Sequence, residues 1–405
     1  MPNYVDLNFS NVKADDTETP RLAVWATGFR PFFLGGALLA ALSIVAWLAI
    51  FMEGMSAGGP ISPIDWHAHE MIFGFTPAII AGFLLTAVPK WTRVPTPTGK
   101  MLAALFALWA LGRVAMALAE FLPYTAVAIA DLLFLPALAI AIAIPIGRAM
   151  TPRNLGFIPL LFGLAIANAL FHLSYLGVVD GWATRGLDAG LGIIIVIIAI
   201  VGGRVIPFFT ANATGMRAIS RRRYIDFAAI GLSVAWLIVF IVDSTASWTA
   251  AIALGAGAAN LARMKGWGIT RSLSIPLLWV LHAGYAFVGI GLIAFGLSVF
   301  DVTGTRSIAI HALTTGAIGI LCLGMMARVA LGHTGRKLKA HKITAVAFAL
   351  IVAAAMARVF LPWAWSSAYA ESLIISGALW TVAWALFLFV YTPILLQPRA
   401  DGRPG

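Results

Sequence analysis

One cysteine, Cys322, is the whole thiol inventory of this 405-residue chain. That excludes an intrachain disulfide and any thiolate cluster, and with them zinc fingers and iron–sulfur centres built by the chain alone. Charge is also scarce, at 11% of residues, with 16 acidic side chains against 27 basic ones, where a soluble globular domain carries about 25%. The first 27 residues, with "VKADDTETP" among them, contain no apolar run, so a cleaved signal peptide is not expected. The remainder is mostly hydrophobic: 61% of the chain, with a mean hydropathy of +0.94. These values imply an all-α polytopic membrane protein.

Apolar runs of about 20 residues, separated by short polar or Pro/Gly-rich breaks, mark about twelve transmembrane helices. They lie at roughly 29–52, 63–89, 100–120, 123–147, 155–178, 188–208, 224–243, 246–263, 275–298, 306–330, 342–362 and 367–396. The chain thus divides into a polar segment (1–27), a twelve-helix domain (28–397) and a short tail (398–405). The second span opens on "SPID", where Ser62 is suited to the cap, Pro63 to the first helical position and Asp65 to the first turn.

The basic residues orient the bundle. With both termini inside, nearly all Lys and Arg fall on the cytoplasmic side, Arg30 and Arg263 at helix ends among them; only Arg185 and Arg306 fall on the other side, and Arg113, Arg204, Arg328 and Arg358 lie within the spans. That asymmetry predicts an N-in, C-in topology. It also explains the net charge of +11 as a rim against anionic lipid. "RAISRRRY" is one short loop without interleaved aromatics and reads as part of that rim, not as a nucleic-acid site.

Short segments recur at about 120 residues, the length of four helices. "IPLL" opens the fifth and ninth spans; "TAVP", "RVIP" and "ARVA" end the second, sixth and tenth; His69 and Gly74 match His311 and Gly316. A threefold four-helix repeat follows, with the second, sixth and tenth helices in equivalent places and ligand sites between repeats.

Ionisable residues inside spans are costly and therefore informative. Arg113 and Asp131 flank one tight turn symmetrically, and Arg358 and Glu371 flank another, so each couple is expected to pair. Arg204 and Arg328 lie near cytoplasmic ends and are expected to snorkel, while His333 and His341 border the basic loop after the tenth span. His67, His69, His172 and His311 converge on the outer half of the membrane, with His282 deeper. Four histidines at one level point to metal or haem ligation. Residues two apart on a helix point about 200° apart, so His67, which shares its face with Glu70 and Met71, and His69 are expected to serve two different sites, or one site and a hydrogen bond supporting it. "HAHE" also lacks the second histidine of a zinc-protease motif.

The segments "GFRPFFLGG", "WHAHEMIFGFTPAIIAGFLLTAVPKWT", "GGRVIPFFTAN", "LLWVLHAGYAFVGIG" and "HALTTGAIGILCLGMMARVALGHTGR" resemble the NnrS family, in order and over nearly the whole chain from Gly28. The resemblance implies a bacterial inner-membrane protein of the nitric oxide and nitrosative stress response, often near denitrification functions, containing haem and copper. It supplies no reaction. A second resemblance is to subunit I of haem–copper oxidases, whose twelve helices in three arcs carry a haem between histidines of the second and tenth. His69 and His311 match that placement. The sixth and seventh spans have no histidine, so the oxidase copper site, and oxygen reduction with it, are not expected.

The resulting expectation is haem b between His69 and His311, with Arg358 first and Arg113 second for its propionates. Gly74 and Gly316 would admit the macrocycle. A copper site is expected from His67, His172 and Glu70, and His282 is a further metal candidate. Nitric oxide would be the ligand and the lipid bilayer the surroundings, with no nucleic acid; the redox partner is unknown. Twelve spans with a repeat also suit a transporter of a small solute or metal, or a non-catalytic sensor or assembly factor. The sequence leaves open whether the protein is an enzyme or a binder. Colour discriminates these readings, since a Soret band supports haem.

Overall fold

The computed structural model describes residues 22–54, 59–150, 152–216, 222–302 and 305–403. Most of the polar N-terminal segment and most of the 217–223 arginine loop therefore lie outside the described residues. Twelve long helices follow in order: α1 Phe29–Glu53, α2 Pro63–Thr92, α3 Gly99–Ala117, α4 Tyr124–Ala149, α5 Pro152–Tyr175, α6 Trp182–Thr214, α7 Arg223–Val242, α8 Ser247–Met264, α9 Pro276–Ser298, α10 Arg306–His333, α11 Lys342–Ala364 and α12 Ser366–Leu396. No strand occurs among the described residues. The chain is an all-α polytopic protein, and among the described residues eleven helices are long and apolar enough to cross a membrane. α8 falls short of the expected twelfth because Asn260 and Arg263 interrupt its apolar composition.

Successive helices pack on one another around the molecule, and α12 returns to pack on α1. The most buried helices are α2, α6 and α10: in the most apolar stretch of each, 78%, 72% and 72% of residues are buried, with α9 close behind at 67%, against 22% for α7. The first three are the helices a four-helix period makes equivalent. Two of them share a further feature: π-helical turns cover Glu70–Phe75 in α2 and Ala312–Gly319 in α10. Each begins at the residue after a matched histidine, His69 or His311. Such turns widen the hydrogen-bond ladder by one residue and re-aim the side chains around them.

Local signals hold where they were read. Ser62 Oγ accepts from the Asp65 N–H at 3.1 Å, capping α2. His341 is exposed and caps α11, its Nδ1 accepting from the Ile343 N–H. His333 is half-buried, with its ring against Phe29. The tail docks onto the turn after α10: Arg399 donates to the His333 carbonyl, and the Ala400 N–H to that of Thr334.

Two arginines assigned to the cytoplasmic rim are inside the protein. Arg30 is fully buried and donates to the Leu395 and Gln397 carbonyls, closing α1 onto the end of α12. Arg263 is buried beneath α7, bonded to Asp226, the Ala199 carbonyl and Tyr285. Loop position alone does not distinguish a solvated arginine from one that turns inward to satisfy carbonyls at helix ends.

Candidate functional site

The two histidines of "HAHE" diverge as their spacing requires. His69 and the neighbouring Glu70 turn towards α3, α4 and α5, and His67 turns towards α1 and α10.

On the His69 side, buried groups from four helices meet. Arg113 of α3 is clamped between two carboxylates: its Nη1 donates to Glu70 Oε1 at 2.5 Å, and its Nη2 pairs with Asp131 Oδ1 of α4. Gly74 makes room for this arginine, because a Cβ there would overlap the guanidinium. Asp131 turns its other oxygen, Oδ2, to α5, where His172 Nε2 lies at 3.0 Å and Asn168 Nδ2 donates at 2.7 Å. His69 Nε2 lies 3.3 Å from the same oxygen and 2.9 Å from Asn168 Oδ1. The far nitrogens are held as well: His69 Nδ1 by Glu70 Oε1 at 3.3 Å, and His172 Nδ1 by the Tyr124 hydroxyl at 2.8 Å. The carboxylates and both histidine side chains are at most 3% exposed.

On the His67 side, a cavity of about 340 Å³ lies between α1 and α2 on one flank and α10, α11 and α12 on the other. Its walls are mainly apolar, and its polar groups are few and convergent, as in small-molecule sites. The His67 and His311 rings are nearly parallel, 9° apart in plane, with centres 6.5 Å apart. Trp47 stacks behind His67 at 4.7 Å. His311 Nδ1 donates to the Ser307 carbonyl at 2.7 Å, which leaves its Nε2 as the nitrogen with a free lone pair. His67 Nδ1 is buried with no hydrogen-bond partner among the described residues. Arg358 of α11 donates through Nη2 to the hydroxyls of Ser307 and Tyr369, while its buried Nη1 likewise has no partner. Arg306 also lines the cavity and is tied to α6 by two bonds to Asp188.

The expected pairs fare differently. Arg113 and Asp131 pair as their symmetry about the turn requires. Arg358 and Glu371 do not, among the described residues: Glu371 is exposed in the first turn of α12, where the helix dipole favours a carboxylate, and Arg358 turns inward. Of the snorkelling arginines, Arg204 reaches Asn154 and the Arg153 carbonyl. Arg328 is buried with its guanidinium 4.1 Å over the Phe209 ring.

The histidine partners are exchanged relative to the sequence reading. His311 meets His67, while His69 meets His172. The four expected metal candidates are not brought together: His67 lines the cavity, Glu70 and His172 belong to the buried cluster, and His282 lies elsewhere. His282 Nε2 is 3.0 Å from the Thr210 hydroxyl, its ring faces Trp267, and Tyr285 bonds to Asn260 and Arg263 instead. Arg113 is taken up by ion pairs and does not line the cavity, and Gly316 admits the Phe287 ring of α9. Asn168 and Tyr124 were missed. The signal for Asn168 was its position four residues before His172, on the same face of α5.

No curated protein matches the chain. A family described as NnrS protein matches residues 23–399, which takes in all twelve helices and the Arg399 contact that docks the tail. With a match of that extent, running through both histidine sites, the chain belongs to the NnrS family.

Proposed function

We propose that this protein is a haem-containing inner-membrane protein of the nitric oxide and nitrosative stress response, with copper as a second metal. Haem b would be held between α2 and α10 by His67 and His311, with Arg358 as the partner of a propionate and Arg306 beside it. The observation that carries this reading is the facing pair of parallel imidazoles in an apolar cavity. The two rings lie 9° apart in plane with centres 6.5 Å apart, and neutral imidazole is a common ligand of haem iron. The unsatisfied Arg358 Nη1 adds to the fit, since a buried guanidinium N–H without an acceptor is expensive and a carboxylate from a ligand would satisfy it.

The chain's own residues would set the properties of that site. Ser307 holds His311 in one tautomer, so that Nε2 faces the cavity. Trp47 fixes the plane of His67, and the cavity walls around the two rings are mainly apolar. A bound haem would supply redox chemistry at iron, and nitric oxide would bind there on displacing one of the two histidines.

The test is the absorption spectrum of the purified full-length protein. We expect a Soret band that is lost or shifted in His67→Ala and in His311→Ala while both variants stay monodisperse. His69→Ala should keep it. A colourless wild type would defeat the haem reading; loss of the band in His69→Ala but not in His67→Ala would return the axial role to His69.

The orientation is proposed from the basic loops, with both termini cytoplasmic. Reporter fusions after Arg223 and Lys339 should read cytoplasmic, and one near Asp301 periplasmic. Reversal at two of the three sites would invert the topology.

A further inference from the structure

The buried cluster on the other face of α2 is separate from the cavity, and the haem reading does not use it. We propose that His69, Asp131 and His172 form a binding site for one divalent transition-metal cation.

Three observations carry this. The first is convergence: one ring nitrogen each of His69 and His172 and an Asp131 carboxylate oxygen all lie within 4.8 Å of one another, on three different helices. Asp131 Oδ2 is 3.0 Å from one nitrogen and 3.3 Å from the other. Donor atoms that share one ion at ~2 Å lie roughly 3 Å apart, so a small movement outward admits the ion. The second is the bracing of the far side of each ligand. His69 Nδ1 faces the Glu70 carboxylate, His172 Nδ1 faces the Tyr124 hydroxyl, and Asp131 Oδ1 is held by Arg113. The Glu70 carboxylate, which can only accept, selects the His69 tautomer that presents Nε2 to a metal, and the Tyr124 hydroxyl, able to accept, allows the same tautomer at His172. The third is charge. Two buried carboxylates share one guanidinium, which leaves one negative charge in a low-dielectric interior with no further cation among the groups described there. A metal ion offsets it.

The donor set defines the class. Two imidazoles and a carboxylate suit zinc, copper(II), cobalt(II) or nickel(II) better than calcium or magnesium, which require more oxygen ligands. Asn168 Oδ1, 2.9 Å from His69 Nε2, is placed to supply a fourth donor.

The experiment uses the full-length protein in detergent, stripped with a chelator and dialysed against cobalt(II), whose visible bands report its coordination. The expected result is one cobalt per chain with imidazole-type coordination. His172→Gln should abolish it. Tyr124→Phe, which removes a brace without touching a ligand, should weaken retention about tenfold. The double variant His67→Ala/His311→Ala should keep the cobalt even where it has lost the haem band, which separates failure of one site from failure of the other. A stripped wild type that retains no cobalt would overturn the proposal and leave the cluster a hydrogen-bonded one. Cobalt retained by both His172→Gln and Tyr124→Phe as in the wild type, or lost in the cavity double variant, would overturn it as well.

Discussion

Arg113→Met is expected to cost on the order of 3–5 kcal/mol of stability, the usual consequence of stranding buried charge. The arginine joins Glu70 and Asp131, whose side chains are 3% and 2% exposed. Removing it leaves two carboxylates facing each other away from water. Both must then take up protons or draw in water, and either outcome disturbs the packing of α2, α3 and α4. Asp131→Asn should be milder, because Glu70 still holds the guanidinium through Nη1. Combining Asp131→Asn with Arg113→Gln should recover part of what Arg113→Met loses, although Glu70 remains unpaired. Gly74→Ala is a related test, since the added methyl meets the guanidinium itself. The readout is the thermal midpoint of the monodisperse protein in detergent. A loss below about 1 kcal/mol for Arg113→Met would place the pair in the class of surface ion pairs and remove the reason for its burial.

A second large effect is expected at Gly257, on the helix whose composition alone does not make it a membrane span. A Cβ at Gly257 would sit 2.7 Å from the Gly289 carbonyl oxygen and 3.0 Å from the Ile293 nitrogen, and one at Gly289 would sit 2.9 Å from the Gly257 carbonyl. The backbones of α8 and α9 therefore touch at these glycines, as small-residue interfaces in membranes allow. Backbone atoms cannot swing aside, so Gly257→Leu must push the helices apart. That also strains the bonds that seat α8 on α9, those of Tyr285 with Asn260 and with Arg263. Overpacking costs typically 1–3 kcal/mol and occasionally more; here the rigid neighbour places the loss at the upper end, about 3 kcal/mol or above. Gly255→Leu is the matched control. A Cβ there meets only Leu232 Cδ1 at 3.7 Å, an ordinary contact, and the variant should fold nearly as well as the wild type. Equal behaviour of the two variants would mean that the glycine contact does not hold α8 in place.

Composition and periodicity were sufficient for the class, for the positions of all twelve long helices and for the cap at Ser62, because these depend on local properties: apolar length against membrane thickness, and cap chemistry over a few residues. The divergence of His67 and His69 was legible for the same reason, since 3.6 residues per turn fixes the angle between them. So was the pairing of Arg113 with Asp131, which a tight turn brings to equal depth. What each histidine meets was decided only by the tertiary structure. The choice between His67 and His69 as the neighbour of His311 depends on the rotation of α2 against α1, α5 and α10. The π turns that begin after His69 and His311 contribute to that rotation, and nothing in the residue types of "EMIFGF" or "ALTTGAIG" announces them. The inward turn of Arg30 and Arg263 was hidden likewise, because whether an arginine reaches water or a helix-end carbonyl depends on which helix lies beside it. Sequence establishes depth and facing along one helix; the contacts of that face belong to the assembly of all twelve, where packing and the pairing of buried polar groups outweigh any local preference.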